Sequence, residues 1–280
     1  MAGESLSVGI RFTRPRTGFR LDVAFEAPPG ITVLFGPSGS GKSTILAAIA
    51  GLVRPDEGRI ALGREVWLDT RSGTDRPIEA RRVAFVFQSL ALFPHMTAAE
   101  NAEYGVARSI RPAERRRRAL ESLARFRVAH LADRRPATFS GGEAQRVALA
   151  RAFAMSPAAV LLDEPFSALD FTLRQQFVQE LRGVAQELAV PIVHVTHHRN
   201  EARALSDRAI LLDSGRILAT GRLDQVLPDL GRRDDGGGPI PKREDGGGGP
   251  TRDDGGGGPT RDDGGGGDLS FAETPMPASR

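Results

Sequence analysis

Three short stretches of the chain combine residue types and spacings suited to phosphate chemistry. Gly36-Pro37-Ser38-Gly39-Ser40-Gly41-Lys42-Ser43-Thr44 follows an apolar run at 31–35 and opens a helical pattern at Ser43. Its glycines let the backbone curl until successive amides face one anion, and the helix N-terminus adds its positive end. Lys42 can then reach terminal phosphates, and the Ser43 hydroxyl is placed for Mg²⁺. A glycine-rich turn without a ligand is the plainer reading, but the strand-loop-helix context favours phosphate. The second stretch, Ala159-Val160-Leu161-Leu162-Asp163-Glu164, is an apolar strand ending in two carboxylates. Such a pair suits nucleotide hydrolysis, Asp163 holding Mg²⁺ through water and Glu164 polarising the attacking water. Adjacent carboxylates also cap elements, yet a buried strand behind a phosphate loop favours catalysis. The third stretch, Ser140-Gly141-Gly142-Glu143, precedes a helix at 144–155. It is a second phosphate-binding device by the same physics, or an ordinary helix cap.

These residues need a scaffold, and the apolar pattern supplies one. Leu6, Val8, Ile10 and Phe12 alternate with polar residues, and so do Phe19, Leu21, Val23 and Phe25 after a turn at 15–18. Period two over two short runs predicts half-exposed strands in an antiparallel pair. From Ile31 the pattern changes to continuous apolar runs at 31–35, 83–87, 160–162, 192–195 and 209–212. Helical patterns at 43–52, 145–155 and 173–188 lie between most of them, which predicts a mainly parallel sheet covered on both faces. Between Thr97 and Pro136 no strand is expected; that region, including a helix at 113–127, reads as a helical insert at about 97–157.

Composition divides the chain in two. Of the 280 residues, 33 are glycine, and 16 of those lie between Gly231 and Gly267, where Arg-Asp-Asp-Gly-Gly-Gly-Gly-Pro-Thr recurs. A segment with almost nothing to bury cannot offset its ordering entropy, so 231–280 is expected to be a disordered tail. A calcium-binding repeat is disfavoured, because such repeats need an apolar residue in each unit. Residues 1–230, expected as one domain, carry a formal charge of +6 and the tail −3. Mixed charges and few aromatics weigh against nucleic acid as a partner. With no cysteine, disulfide scaffolds, zinc ribbons and thiol catalysis are excluded. No apolar run is long enough to cross a membrane, and the N-terminus lacks a secretory layout. A soluble intracellular protein is the expectation. Only two residues are Lys, Lys42 and Lys242, against 36 Arg, so the lysine inside the loop stands out.

Together these residues, over about 5–230, resemble the ATP-binding cassette ATPases, the motor subunits of ABC transporters. Phe139-Ser140-Gly141-Gly142-Glu143 is similar to that family's signature, with Phe and Glu where Leu and Gln are usual. Gln88 resembles its Q-loop, Ser167-Ala168-Leu169-Asp170 its D-loop, and His197 its switch histidine. The resemblance implies a P-loop NTPase core with an N-terminal antiparallel β-subdomain and an inserted α-helical subdomain. It implies ATP and Mg²⁺ as cofactors, with Mg²⁺ at Ser43, Gln88 and Asp163. It implies catalysis by Glu164, His197, Gln88 and Lys42. It also implies a head-to-tail homodimer in which Ser140, Gly141 and Gly142 of one copy close on ATP held by the other. Permease subunits would supply the pore, a periplasmic solute-binding protein would deliver the solute, and the chain would sit at the cytoplasmic face of the membrane. The stretches 30–36 and 82–95 look most like molybdate importer ATPases; sulfate, iron(III), spermidine and non-transport cassettes are the alternatives. Two positions depart from or blur the pattern. His198 stands where Asp is usual, and either Phe12 or Phe19 fits the adenine-stacking aromatic. Arg115–Arg118 reads as a solvated helix face, with contact to a membrane subunit or lipid headgroups as the sharper alternative.

Overall fold

Among the described residues eleven strands form one sheet, and its two halves follow different pairing rules. The computed structural model describes residues 3–14, 18–167, 169–205 and 208–226; Ala168 and the repeat-bearing 231–280 lie outside them. β1 (Leu6–Arg14) and β2 (Phe19–Ala27) pair antiparallel, Leu6 opposite Ala27 and Phe12 opposite Leu21. Along β2 buried and exposed positions alternate, as the period of two requires. Then come β3 (Gly30–Phe35), α1 (Lys42–Ala50), β4 (Glu57–Leu62), β5 (Glu65–Asp69) and β6 (Thr74–Asp75). The last three strands extend the antiparallel half outward from β1. Sequence reading misses them because a register shift at Ile60/Ala61 breaks the alternation between β4 and β5. Trp67, fully buried, anchors their inner face.

α2 (Ile78–Arg81) leads into β7 (Val83–Val86), and three helices follow: α3 (Ala98–Tyr104), α4 (Pro112–Arg125) and α5 (Gly141–Ala154). They pack on one another through Ala99, Ala102, Leu123, Phe126 and Phe153. The chain returns to the sheet with β8 (Ala159–Asp163), α6 (Phe171–Leu188), β9 (Pro191–Thr196), α7 (Arg199–Leu205), β10 (Arg208–Asp213), β11 (Arg216–Arg222) and α8 (Leu223–Val226).

The parallel half runs β10-β3-β9-β8-β7, which puts the phosphate-loop strand β3 between β10 and β9. Every position of β9 is buried, as expected for a strand covered on both faces. Successive side chains feed opposite cores. Leu34, Leu161 and Val193 pack with Ile45 and Ile49 of α1, while Val33, Leu162 and Ile192 pack toward Phe177 of α6 and Ala202 of α7. The halves meet where Arg216 of β11 pairs with Asp22 of β2, beside a 2.9 Å bond from Asp22 N to Gly215 O.

Candidate functional site

The loop after β3 is shaped by close packing. Gly36 passes so near β10 that a Cβ there would fall 2.0 Å from the Leu212 carbonyl oxygen, which only glycine avoids. Gly41 precedes α1 and contributes no side-chain cap, and the first turn of α1 holds no acidic residue. The helix thus presents its first amides and its positive end without a built-in counter-charge. Lys42 Nζ folds back over the loop and donates to the carbonyls of Gly36 (2.9 Å) and Pro37 (2.7 Å). Burial lowers the pKa of this lysine, and the charges of Glu164 and Asp163 oppose that shift.

Asp163 ends β8 on the same face as α1. Burial raises its pKa, against a hydrogen bond from Ser43 and the charge of Lys42. A hydroxyl and a half-buried carboxylate, both hard oxygen donors, fit Mg²⁺. Among the described residues no cluster of three His, Cys, Asp or Glu forms a complete metal cage. Such a site suits a cation that keeps waters and shares phosphate oxygens.

Glu164 faces elsewhere because the chain turns sharply. Its φ is 45°, in the left-handed region that a non-glycine residue rarely adopts, and its N–H donates to Val195 O at 3.1 Å. This aims the carboxylate at the end of β9, where His197 Nδ1 lies 3.0 Å from Glu164 Oε1. His198 stacks on His197 with ring centroids 4.1 Å apart, and its N–H donates to Thr196 Oγ1. Burial lowers the His198 pKa, and the charges of Arg174 and His197 lower it further.

Lys42, Ser43, Asp163, Glu164 and His197 therefore converge at one end of the parallel strands. Ser140, Gly141 and Gly142 make their contacts elsewhere. Ser140 Oγ accepts from Glu143 N, Glu143 accepts from Ser140 N at 2.7 Å, and a Cβ on Gly142 would meet Leu173 of α6. Glu143 is thereby the return arm of a capping box, and the amide and hydroxyl of Ser140 hold its pKa down. Gln88 is exposed in the turn after β7, which ends at Val86 rather than at Phe87. Asp170 caps α6 by accepting from Leu173 N.

A cavity of about 390 Å³ opens beside α1, lined by Phe12, Phe19, Ser43, Thr44, Ala47 and Val53. Phe12 is 1% exposed and belongs to the strand core, whereas Phe19 is half-buried at the rim. The arginine run is engaged by carboxylates. Arg115 pairs with Glu103, Arg116 with Asp133, Arg117 with Glu114 and Glu121, and Arg118 with Glu114. Such pairs support α4 and its packing on its neighbours.

Sequence reading passes over two buried polar side chains outside the motifs. His194 is hidden inside the apolar run 192–195, yet it bonds Glu201. Arg81, 2% exposed, donates to Ala48 O and Ile49 O at the C-terminal end of α1 and to Asp75. A charged residue just before a buried strand is the signal that could have marked Arg81.

The chain is similar to known proteins of one family. The ABC transporter family matches residues 21–167. The chain is 43% identical over 222 residues to the molybdenum import ATP-binding protein of Paramagnetospirillum magneticum, covering 79% of this chain and 61% of that one. It is 44% identical over 218 residues to the molybdate/tungstate import ATP-binding protein of Archaeoglobus fulgidus, covering 78% and 88%. The chain thus spans less than two thirds of the length of the first of these relatives. Among solved structures, a dimeric bacterial ABC transporter cassette matches with a TM-score of 0.66 at 32% identity, covering 78% of this chain and 98% of that one. Loop, carboxylate pair and histidine share one site within a fold common to solved cassettes, and this chain belongs to the ABC transporter ATP-binding family.

Proposed function

We propose that the chain binds and hydrolyses ATP to power import of molybdate or a similar oxyanion. The observation that carries hydrolysis is the 3.0 Å contact between Glu164 Oε1 and His197 Nδ1, at the ends of strands beside the phosphate loop. Ligands of parallel sheets bind at that edge. ATP lays its phosphates along Gly36, Pro37, Ser38, Gly39, Ser40, Gly41, Lys42, Ser43 and Thr44, and Lys42 exchanges its two loop carbonyls for phosphate oxygens. Phe19, at the rim of the neighbouring cavity, stacks on the adenine. Ser43, Asp163 and Gln88 would hold Mg²⁺, which neutralises charge on the β- and γ-phosphate oxygens when bound. Glu164 takes the proton of the attacking water as the water oxygen bonds to the γ-phosphorus and ADP leaves with the bridging oxygen. His197 keeps Nδ1 on Glu164 and turns Nε2 toward the γ-phosphate. Ser140, Gly141 and Gly142 reach the same phosphate from a second copy, which accounts for their distance in contacts from the loop of their own chain. The dimeric state of the matched cassette, also solved after hydrolysis with ADP and Pi, supports that arrangement.

The import reading rests on the names of the relatives. Among the described residues no helix is long and apolar enough to cross a membrane. The pore then belongs to permease subunits, with a periplasmic binding protein delivering the solute and this chain docked at the cytoplasmic face. Glu164→Gln should bind ATP, accumulate as an ATP-dependent dimer in light scattering, and release phosphate about 100-fold or more slowly. Near-normal turnover would remove Glu164 from its role. Deleting the gene should abolish high-affinity molybdate uptake, measured as cellular molybdenum. Loss of sulfate, iron(III) or spermidine uptake with molybdate uptake intact would reassign the solute.

A further inference from the structure

Beneath the Glu164–His197 contact lies a second imidazole–carboxylate pair that no motif marks. His194 sits in the middle of β9, between Val33 of β3 and Leu162 of β8. It is fully buried, and its Nε2 lies 2.5 Å from Oε1 of Glu201 on α7, which is 4% exposed. A carboxylate so buried must have a partner, and this one has His194. The other ring nitrogen, Nδ1, meets no hydrogen-bond partner among the described residues. A proton on Nδ1 would be buried without an acceptor, so the ring keeps its proton on Nε2 and donates it to Glu201.

The same ring packs against Phe166, centroids 5.7 Å apart, and Phe166 lies in the turn that begins at Glu164. On its other side, only His197 and His198 separate β9 from α7. That corner is closed by the bond from His198 N to Thr196 Oγ1 and by one from Ala202 N to His198 O, each 3.1 Å. His194 therefore touches the turn carrying Glu164 through Phe166, and the corner carrying His197 through Glu201.

We infer that the buried His194–Glu201 pair is a positioning unit, which sets the Glu164 turn and the β9–α7 corner at the separation where His197 meets Glu164. An apolar contact between β9 and α7 would pack as well, but it would tolerate sliding. A hydrogen bond between two fixed atoms defines one register. The inference rests on the reading of Glu164 and His197 as the hydrolytic pair, and neither His194 nor Glu201 is placed on the nucleotide.

Three variants of the full chain test it. His194→Phe keeps a ring against Phe166, the double variant His194→Phe/Glu201→Leu fills the space with apolar groups, and Glu201→Gln keeps an acceptor for Nε2. The readouts are Mg²⁺-ATP hydrolysis, thermal melting and the ring-nitrogen NMR signals of His197 in the nucleotide-free protein. The double variant should melt within a few degrees of the parent, yet its kcat should fall at least tenfold while KM for ATP stays within twofold. Its His197 signal should lose the mark of a hydrogen-bonded Nδ1. Glu201→Gln should restore kcat to within threefold of the parent. A folded double variant with parental kcat and an unchanged His197 signal overturns the inference, as does a folded His194→Phe with parental kcat should the double variant not fold. If the parent chain hydrolyses no ATP, the hydrolytic reading itself falls. The His197 signal in parent and double variant then still decides whether the pair positions that ring.

Discussion

Asp163 and Glu164 are neighbours in sequence and serve different surroundings. Asp163, still within β8, points to Ser43 and Lys42, while the left-handed turn at Glu164 sends the next carboxylate to His197. This division is half legible in the sequence. An apolar strand ending in two acids after a phosphate loop announces the pair, but nothing local announces the turn that separates them. His194 is less legible still, because a histidine in an all-buried strand reads as one more core position until its partner four positions beyond His197 is seen. His198 yields a prediction at this scale. Its pKa in the folded chain lies below the ordinary 6.5, chiefly from burial and then from Arg174 and His197. As pH falls below 6.5 the unfolded chain takes up this proton before the folded one, so the stabilisation present above 6.5 is progressively lost. Urea unfolding at pH 7.5 and 5.5 should show the parent losing more stability than His198→Asn; equal losses would discharge His198 from that role.

Two helices begin with the same device and offer a controlled comparison. Thr97 with Glu100 opens α3, and Ser140 with Glu143 opens α5, each as a capping box. Thr97→Ala and Ser140→Ala should each cost about 1 kcal/mol, lowering Tm by roughly 2–4 °C. Only Ser140→Ala should also depress ATP hydrolysis and ATP-dependent dimerisation. Equal hydrolysis in the two variants would leave Ser140 as a cap and nothing more. Elements of this kind are legible when their pattern is simple. The parallel strands announce themselves as apolar runs because both faces are covered, and β1 and β2 do so by alternation. β11 escapes because none of its seven positions is buried, so it carries no apolar signature. β4 and β5 escape because their irregular register mixes the two faces.

At the scale of the molecule, the antiparallel and parallel halves of the sheet meet beside the phosphate loop. Gly215 carries that junction. Its N–H donates to Ser40 O of the loop at 3.1 Å, and its carbonyl accepts from Asp22 of β2. A Cβ at Gly215 would fall 1.9 Å from Arg20 O, at a φ of 76°. Gly215→Ala should therefore destabilise the protein by roughly 3 kcal/mol or more, visible as a lower urea midpoint, and should weaken binding of a fluorescent ATP analogue. A midpoint within error of the parent would mean that the two halves shift apart at little cost. The pairing order has a further consequence, for the ribosome rather than the enzyme. β1, β2, β4, β5 and β6 find their antiparallel partners within the first 75 residues. β3 pairs only with β9 and β10, and β9 begins about 160 residues after β3 ends. At a synthesis rate of about 5–20 residues per second, the strand that bears the phosphate loop waits roughly 8–30 seconds, its edges unpaired and Val33 and Phe35 uncovered, for the chain that will shelter it. The newborn protein is thus most in need of a chaperone at the strand on which its mature chemistry depends.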